Sequence, residues 1–236
     1  MKQRAAKGKF IVIDGIDGTG KATQAALLVE RLRKEGRKVK TIDFPGYYRN
    51  FFGKLIGEYL AGKYGDFIEV DPHIASVLYA ADRFESALMI RTWLDEGYIV
   101  VADRYVSANQ IHQGAKIDSP AGRKEFLHWL DKMEYGVFKI PKPDLILYLD
   151  LPIRLSQKLL RTKLASFKKR YNKGRKVDVA EDNLAHMDAS RRSALGMIKK
   201  SNNWQKIDCD GDGEIKPRQV IHERIWSIVA PFLARR

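Results

Sequence analysis

The chain has 236 residues, enough to bury a sizeable core. Lys and Arg outnumber Asp and Glu by 43 to 29, and the net charge of +14 favours anionic partners: nucleotides, nucleic acid or a membrane surface. A single cysteine excludes an intrachain disulfide framework and suits a reducing, cytoplasmic setting, and the basic start is followed by too short an apolar run, Phe10 to Ile13, for a signal segment or membrane span.

The run Phe10 to Ile13 reads as a buried strand. It is followed by Asp14-Gly-Ile-Asp-Gly-Thr-Gly-Lys-Ala-Thr23, in which Gly15 to Lys21 has the spacing of a phosphate-binding loop. Glycines let the backbone wrap an anion closely, and the amides of a helix N-terminus face it. The expected ATP-phosphate site is therefore Gly15, Asp17, Gly18, Thr19, Gly20, Lys21, Ala22 and Thr23. Ala22 stands where Ser or Thr normally gives a hydroxyl to Mg²⁺.

Ala25, Leu28, Val29 and Leu32 repeat at helical spacing, and Gly36 supplies a stop. Val39 to Phe44 reads as a second strand and Phe52 to Leu60 as a helix. Asp71-Pro72 predicts an N-cap with proline in the first turn, opening a long helix toward Leu94. Strands are expected at Tyr98 to Ala102, Asp144 to Leu149 and Trp204 to Asp208. Helices are expected at Leu155 to Leu164, over much of Asp178 to Lys200, and along the closing stripe Ile221, Ile225, Ile228, Val229 and Phe232. Strands alternating with helices predict a three-layer α/β fold of the P-loop NTPase type. It would have a five-stranded parallel sheet, with ligands at the carboxyl ends of the strands. One domain, 1–236, is expected, with the phosphate loop at 14–23 and a monophosphate-binding region at 44–114.

Asp103-Arg104-Tyr105 falls at such a strand end. A carboxylate there, beside a phosphate loop, suits hydrated Mg²⁺, and Arg104 could clamp a second phosphate. Tyr79 and Arg83 share a helix face at i, i+4 spacing, where a ring and a guanidinium can meet one flat ligand.

Together these residues resemble the thymidylate kinase family. The resemblance runs from Phe10 to about Val229. It takes in the phosphate loop with its internal Asp17, Phe44-Pro45, Leu78 to Arg83, Asp103-Arg104-Tyr105, His112-Gln113-Gly114, Pro143-Asp144 and Asn203-Trp204. It implies transfer of a phosphate from ATP to dTMP with Mg²⁺, in a cytoplasmic homodimer. By position it implies that Lys21 and the loop hold the ATP phosphates, that Asp17 binds the 3′-hydroxyl of the acceptor sugar, and that Phe44 lines the acceptor pocket. Tyr79 would stack on thymine, Arg83 would hydrogen-bond it, and Arg104 would hold the acceptor phosphate. Asp103 would act through Mg²⁺. His112 falls where an aromatic usually crowds a ribose 2′ position, and Gln113 would line the base pocket.

The stretch Arg154 to Lys176 is strongly basic and holds no Asp or Glu, which suggests a lid at about 165–177. Gly18 stands where one class of the family has a loop arginine, so a lid arginine, Arg170 or Arg175, is expected to serve the transition state. The sequence departs from the family in four places. Asp14 replaces the usual Glu. Ala22 removes a hydroxyl. Gly46 follows Phe44-Pro45 where an arginine is common, leaving Arg49 as a substitute. Ala108 falls where serine is common. Two other readings are a catalytically weak nucleotide-binding homologue and a basic nucleic-acid-binding P-loop protein. Against the second, the chain carries no recognition helix or RNA-binding signature. Asp208 to Ile215 resembles the start of a calcium loop, but Gln219 takes the place of its bidentate Glu, so a turn is expected there.

Overall fold

The structure, a computed structural model, describes residues 7–65, 69–170 and 184–234; for 163–170 it describes the helical backbone alone. In chain order the elements are β1 (Lys9–Asp14), α1 (Lys21–Lys34), β2 (Val39–Asp43), α2 (Phe51–Leu60), α3 (Pro72–Asp95), β3 (Ile99–Asp103), α4 (Val106–His112), a 3₁₀ turn (Gly114–Lys116), α5 (Pro120–Asp131) and a π-helical turn (Lys132–Val137). Then follow β4 (Leu145–Asp150), α6 (Ile153–Arg170), α7 (Leu184–Ile198), β5 (Trp204–Asp208), a two-stranded hairpin of β6 (Asp210–Gly211) and β7 (Glu214–Ile215), and α8 (Arg218–Ala234).

The five long strands form one sheet in the order β2-β3-β1-β4-β5. Every pairing in it is parallel. The central strand explains why it forms. Phe10 and Val12 point into one core, with Ile90, Val100, Tyr148 and Trp204. Ile11 and Ile13 point into the other, with Leu28, Leu32, Val101, Leu147 and Ile225. A strand whose successive side chains are all apolar must be covered on both faces, and the alternating helices supply that cover. From β1 the chain winds outward to β2, and it later crosses to β4 and β5 on the other side. The reversal leaves a crevice beyond the carboxyl end of β1, where α/β folds bind ligands.

Two helix starts were legible in the sequence. Asp71 caps α3, accepting from the His73 and Ile74 amides, with Pro72 in the first turn. Gly20 stands before α1 in a left-handed conformation and contributes no side-chain cap, so no side chain of the cap residue competes for the first amides of that helix. The expected strand at Tyr98 starts one residue later. The helix expected to end at Leu164 continues to Arg170. The calcium-like segment is the β6–β7 hairpin, turning at Asp212 and Gly213, both with positive φ. Among the described residues no helix is long and apolar enough to cross a membrane, and no group of three or more His, Cys, Asp or Glu is arranged to hold a metal.

Candidate active site

The loop after β1 is shaped by what presses on it. Gly18 has φ +78°, and a Cβ there would lie 2.4 Å from the Ser156 carbonyl and 2.7 Å from Leu160, both on α6. An arginine has no room at this position. Gly15 is crowded too: its Cβ would come within 2.8 Å of the Leu149 carbonyl. Inside the loop, Thr19 Oγ1 donates to the Ile16 carbonyl. Lys21 Nζ donates to the Gly15 and Ile16 carbonyls, each at 2.9 Å, and lies 3.8 Å from Asp17 Oδ1. The lysine thus arches back over its own loop, with its ammonium toward Asp17.

Arg104 meets it from β3. Its φ of 67° is unusual for a residue with a side chain, a strain of about 1 kcal/mol or more that active sites tolerate. Its amide donates to the Ile13 carbonyl, which ties it to the end of β1. The Arg104 guanidinium pairs with Asp17 and donates to His112 Nε2 at 3.2 Å. Burial pushes the Asp17 carboxyl up, but Arg104, Lys21 and His112 together bring it well below the usual carboxylate range. Burial, aided by the Arg104 charge, holds the His112 imidazole down at about 3. A neutral ring accepting at Nε2 agrees with that. Burial also lowers the Lys21 ammonium and raises the Asp14 carboxyl.

Asp14 is fully buried and takes hydrogen bonds from the Gly15 amide and the Ser107 hydroxyl. One of the sequence departures falls here. The acid is a methylene shorter than Glu, and the hydroxyl that serves it stands one residue before Ala108.

Beyond this cluster lies an open cleft. It is lined by Asp17, Phe44, Tyr79, Arg83, Arg104, His112 and Gln113, all expected from sequence, and also by Pro45, Tyr47, Tyr105, Ala108, Asn109, Lys116 and His186. Gln113 is 5 % exposed, and its buried Oε1 has no partner among the described residues. A buried acceptor of this kind on a cleft wall is ready for a ligand donor. Asp82, which sequence reasoning passed over, shapes the cleft from behind. It accepts from the Gly46 amide at 3.0 Å and from Asn50 Nδ2 at 2.6 Å, fixing the turn that carries Phe44 and Pro45.

A second pocket runs over the phosphate loop. Its walls include Gly18, Thr19, Gly20, Lys21, Ala22, Thr23, Asp43, Asp103, Lys216 and Arg218. Asp17, Phe44, Pro45, Tyr47 and Arg104 line both spaces. Arg49 stands apart from both linings. It donates to Asp43 Oδ1 at 2.7 Å and lies over the Phe44 ring at 5.7 Å. Arg170 ends α6 and its side chain is not described; Arg175 and most of the expected lid lie outside the described residues.

The thymidylate kinase family model matches residues 13–207. A probable thymidylate kinase of Thermococcus onnurineus is 36% identical over 234 residues, covering 96% of this chain and all of the relative. Human thymidylate kinase is 29% identical over 222 residues, covering 94% of this chain and 89% of the human protein. A solved structure of thymidylate kinase from Candida albicans is similar with a TM-score of 0.67 and 28% identity, covering 95% of this chain and 92% of that one. The chain belongs to the thymidylate kinase family.

Proposed function

We propose that this member of the family transfers the γ-phosphoryl group of ATP to dTMP, giving ADP and dTDP. The observation that carries the reading is the shared wall. Asp17, Phe44, Pro45, Tyr47 and Arg104 line both the phosphate-loop pocket and the neighbouring cleft. Two nucleotides bound in those spaces would meet phosphate to phosphate at Arg104 and Lys21.

The acceptor phosphate is already an anionic nucleophile, so positioning and charge neutralisation do the work and no general base is required. On this reading the phosphates replace the present partners of both cations. Lys21 leaves the Gly15 and Ile16 carbonyls for the ATP phosphates, and Arg104 leaves Asp17 for the acceptor phosphate. That frees the Asp17 carboxylate to accept from the sugar 3′-hydroxyl. Tyr79 supplies a ring for thymine, and Arg83 and Gln113 supply a donor and an acceptor for its edge.

Mg²⁺ suits the donors present. Asp43 and Asp103 lie opposite each other in the β2–β3 register, and both line the phosphate-loop pocket. Mg²⁺ keeps several waters and needs only one or two carboxylates beside substrate phosphates, so the missing hydroxyl at Ala22 does not remove the site. Held by Asp103, the ion would neutralise charge on the transferred group.

A lid arginine, Arg170 or Arg175, completes the proposal. It is supported by the packing of α6 on Gly18, which leaves no space for a loop arginine. If both Arg→Ala variants kept near-normal turnover, that part would fail. We propose further that the chain works as a homodimer and that 1–236 is one domain. Coupled ADP release with ATP, Mg²⁺ and a panel of nucleoside monophosphates tests the reaction itself.

A further inference from the structure

Arg83 is 1 % exposed and Glu134 is fully buried. The Glu134 carboxylate grips the guanidinium along one edge: Nε donates to Oε2 at 3.2 Å and Nη2 donates to Oε1. Arg83 Nη1 also faces the Tyr105 carbonyl, at 3.4 Å. Taking two charges out of water costs several kcal/mol each, and their attraction in the interior often does no more than offset it. Stability is therefore a poor reason for the pair to exist.

Its position gives a better one. Arg83 lines the acceptor cleft beside Tyr79, whereas Glu134 does not line it. Glu134 sits in the π-helical turn Lys132–Val137, marked by the bond from the Phe138 amide to the Met133 carbonyl. It continues the buried face of Phe126 and Leu130 at i+4 spacing, where an apolar residue would complete the core. π-turns inside helices are rare and occur often at functional sites. A guanidinium held along its Nε–Nη2 edge keeps outer N–H bonds for a second acceptor and loses the rotamer freedom of a long side chain.

We infer that Glu134 is a positioning residue for base selection. It holds Arg83 in the orientation that offers a donor to the carbonyl that thymine carries where cytosine carries an amino group. The inference rests on the reading of this cleft as the dTMP site.

The test is steady-state kinetics with dTMP and dCMP on wild type, Glu134→Gln, Glu134→Asp, Arg83→Met and the double variant Arg83→Met/Glu134→Gln, each checked for folding by thermal melting. For Glu134→Gln, KM for dTMP should rise about tenfold, with kcat within about twofold and KM for ATP unchanged, as expected when one hydrogen bond to a charged group is lost in binding. The preference for dTMP over dCMP should fall with it. In the Arg83→Met background the second substitution should add nothing, because Glu134 acts only through Arg83. Should Glu134→Gln not fold, Glu134→Asp keeps the charge, withdraws the carboxylate by one methylene, and should move KM and preference in the same direction. Unchanged KM and unchanged preference in a folded variant, or additive effects in the double variant, would overturn the inference while leaving the reaction standing. A wild-type chain that turns over no dTMP overturns both.

Discussion

Lys21 and Arg104 already have oxygen partners, Lys21 in the loop carbonyls and Arg104 in the Asp17 carboxylate. Those partners hold the two cations at the place where, on the proposed reading, the phosphates arrive. Replacing Lys21 with Ala should lower kcat about a thousandfold, the scale of losing one preorganised charge at a developing anion, with the fold intact. Single-turnover kinetics and a thermal melt check the two halves of that statement. His112 makes a pH prediction. In the folded chain its pKa is held at about 3 against an ordinary value of 6.5. The unfolded chain therefore takes up a proton below about 6.5 that the folded chain refuses, and stability falls as pH drops from there toward 3. His112→Gln retains an acceptor for Arg104 but cannot protonate. Its Tm should fall less than that of wild type between pH 7 and pH 4, and equal falls would contradict the assigned neutral ring. Much of this site was legible in the residues, because loop, Asp103-Arg104 and Tyr79–Arg83 each carry a spacing tied to chemistry. Asp82 and Glu134 were not. Each is an acid at a core position, and its role appears only once the turn at Gly46 or the guanidinium of Arg83 is folded against it.

At the scale of elements, the strand, loop and helix that open the chain could be read directly, since a buried strand, a glycine turn and a helical stripe follow each other without ambiguity. The close packing of α6 on that loop could not be read, because it joins residues far apart in sequence. It yields a prediction. Gly18→Ala places a Cβ 2.4 Å from the Ser156 carbonyl at a positive φ, so it should destabilise the chain by about 3 kcal/mol. Denaturant unfolding would measure it, and a neutral effect would mean that α6 yields easily. The π-turn after α5 escaped the reading for a related reason. A charge in register with Phe126 and Leu130 breaks the apolar periodicity on which helix prediction depends. The turn expected after Asp208 is the hairpin at Asp212-Gly213.

Across the whole molecule, alternation of strands and helices was enough to predict a parallel sheet and a site at its carboxyl edge, whereas strand order rests on long-range pairing that periodicity does not encode. One surface bears on assembly. On α3, Ile74, Val77, Ala81, Phe84 and Leu88 recur at heptad-like spacing, and Ile74, Phe84 and Leu88 are 60 %, 51 % and 73 % exposed. The proposed homodimer would bury this stripe. Leu88→Glu should shift light-scattering mass from dimer to monomer at micromolar concentration, and a wild-type chain that is already monomeric would refute the assembly. The central claim is that two nucleotides meet across the wall formed by Asp17, Phe44, Pro45, Tyr47 and Arg104. Its most direct test is coupled ADP release from ATP and Mg²⁺ with dTMP, dUMP, dCMP, dGMP and UMP as acceptors. The account predicts strong turnover with dTMP, selective over the others; ATP binding without turnover of any monophosphate would contradict it.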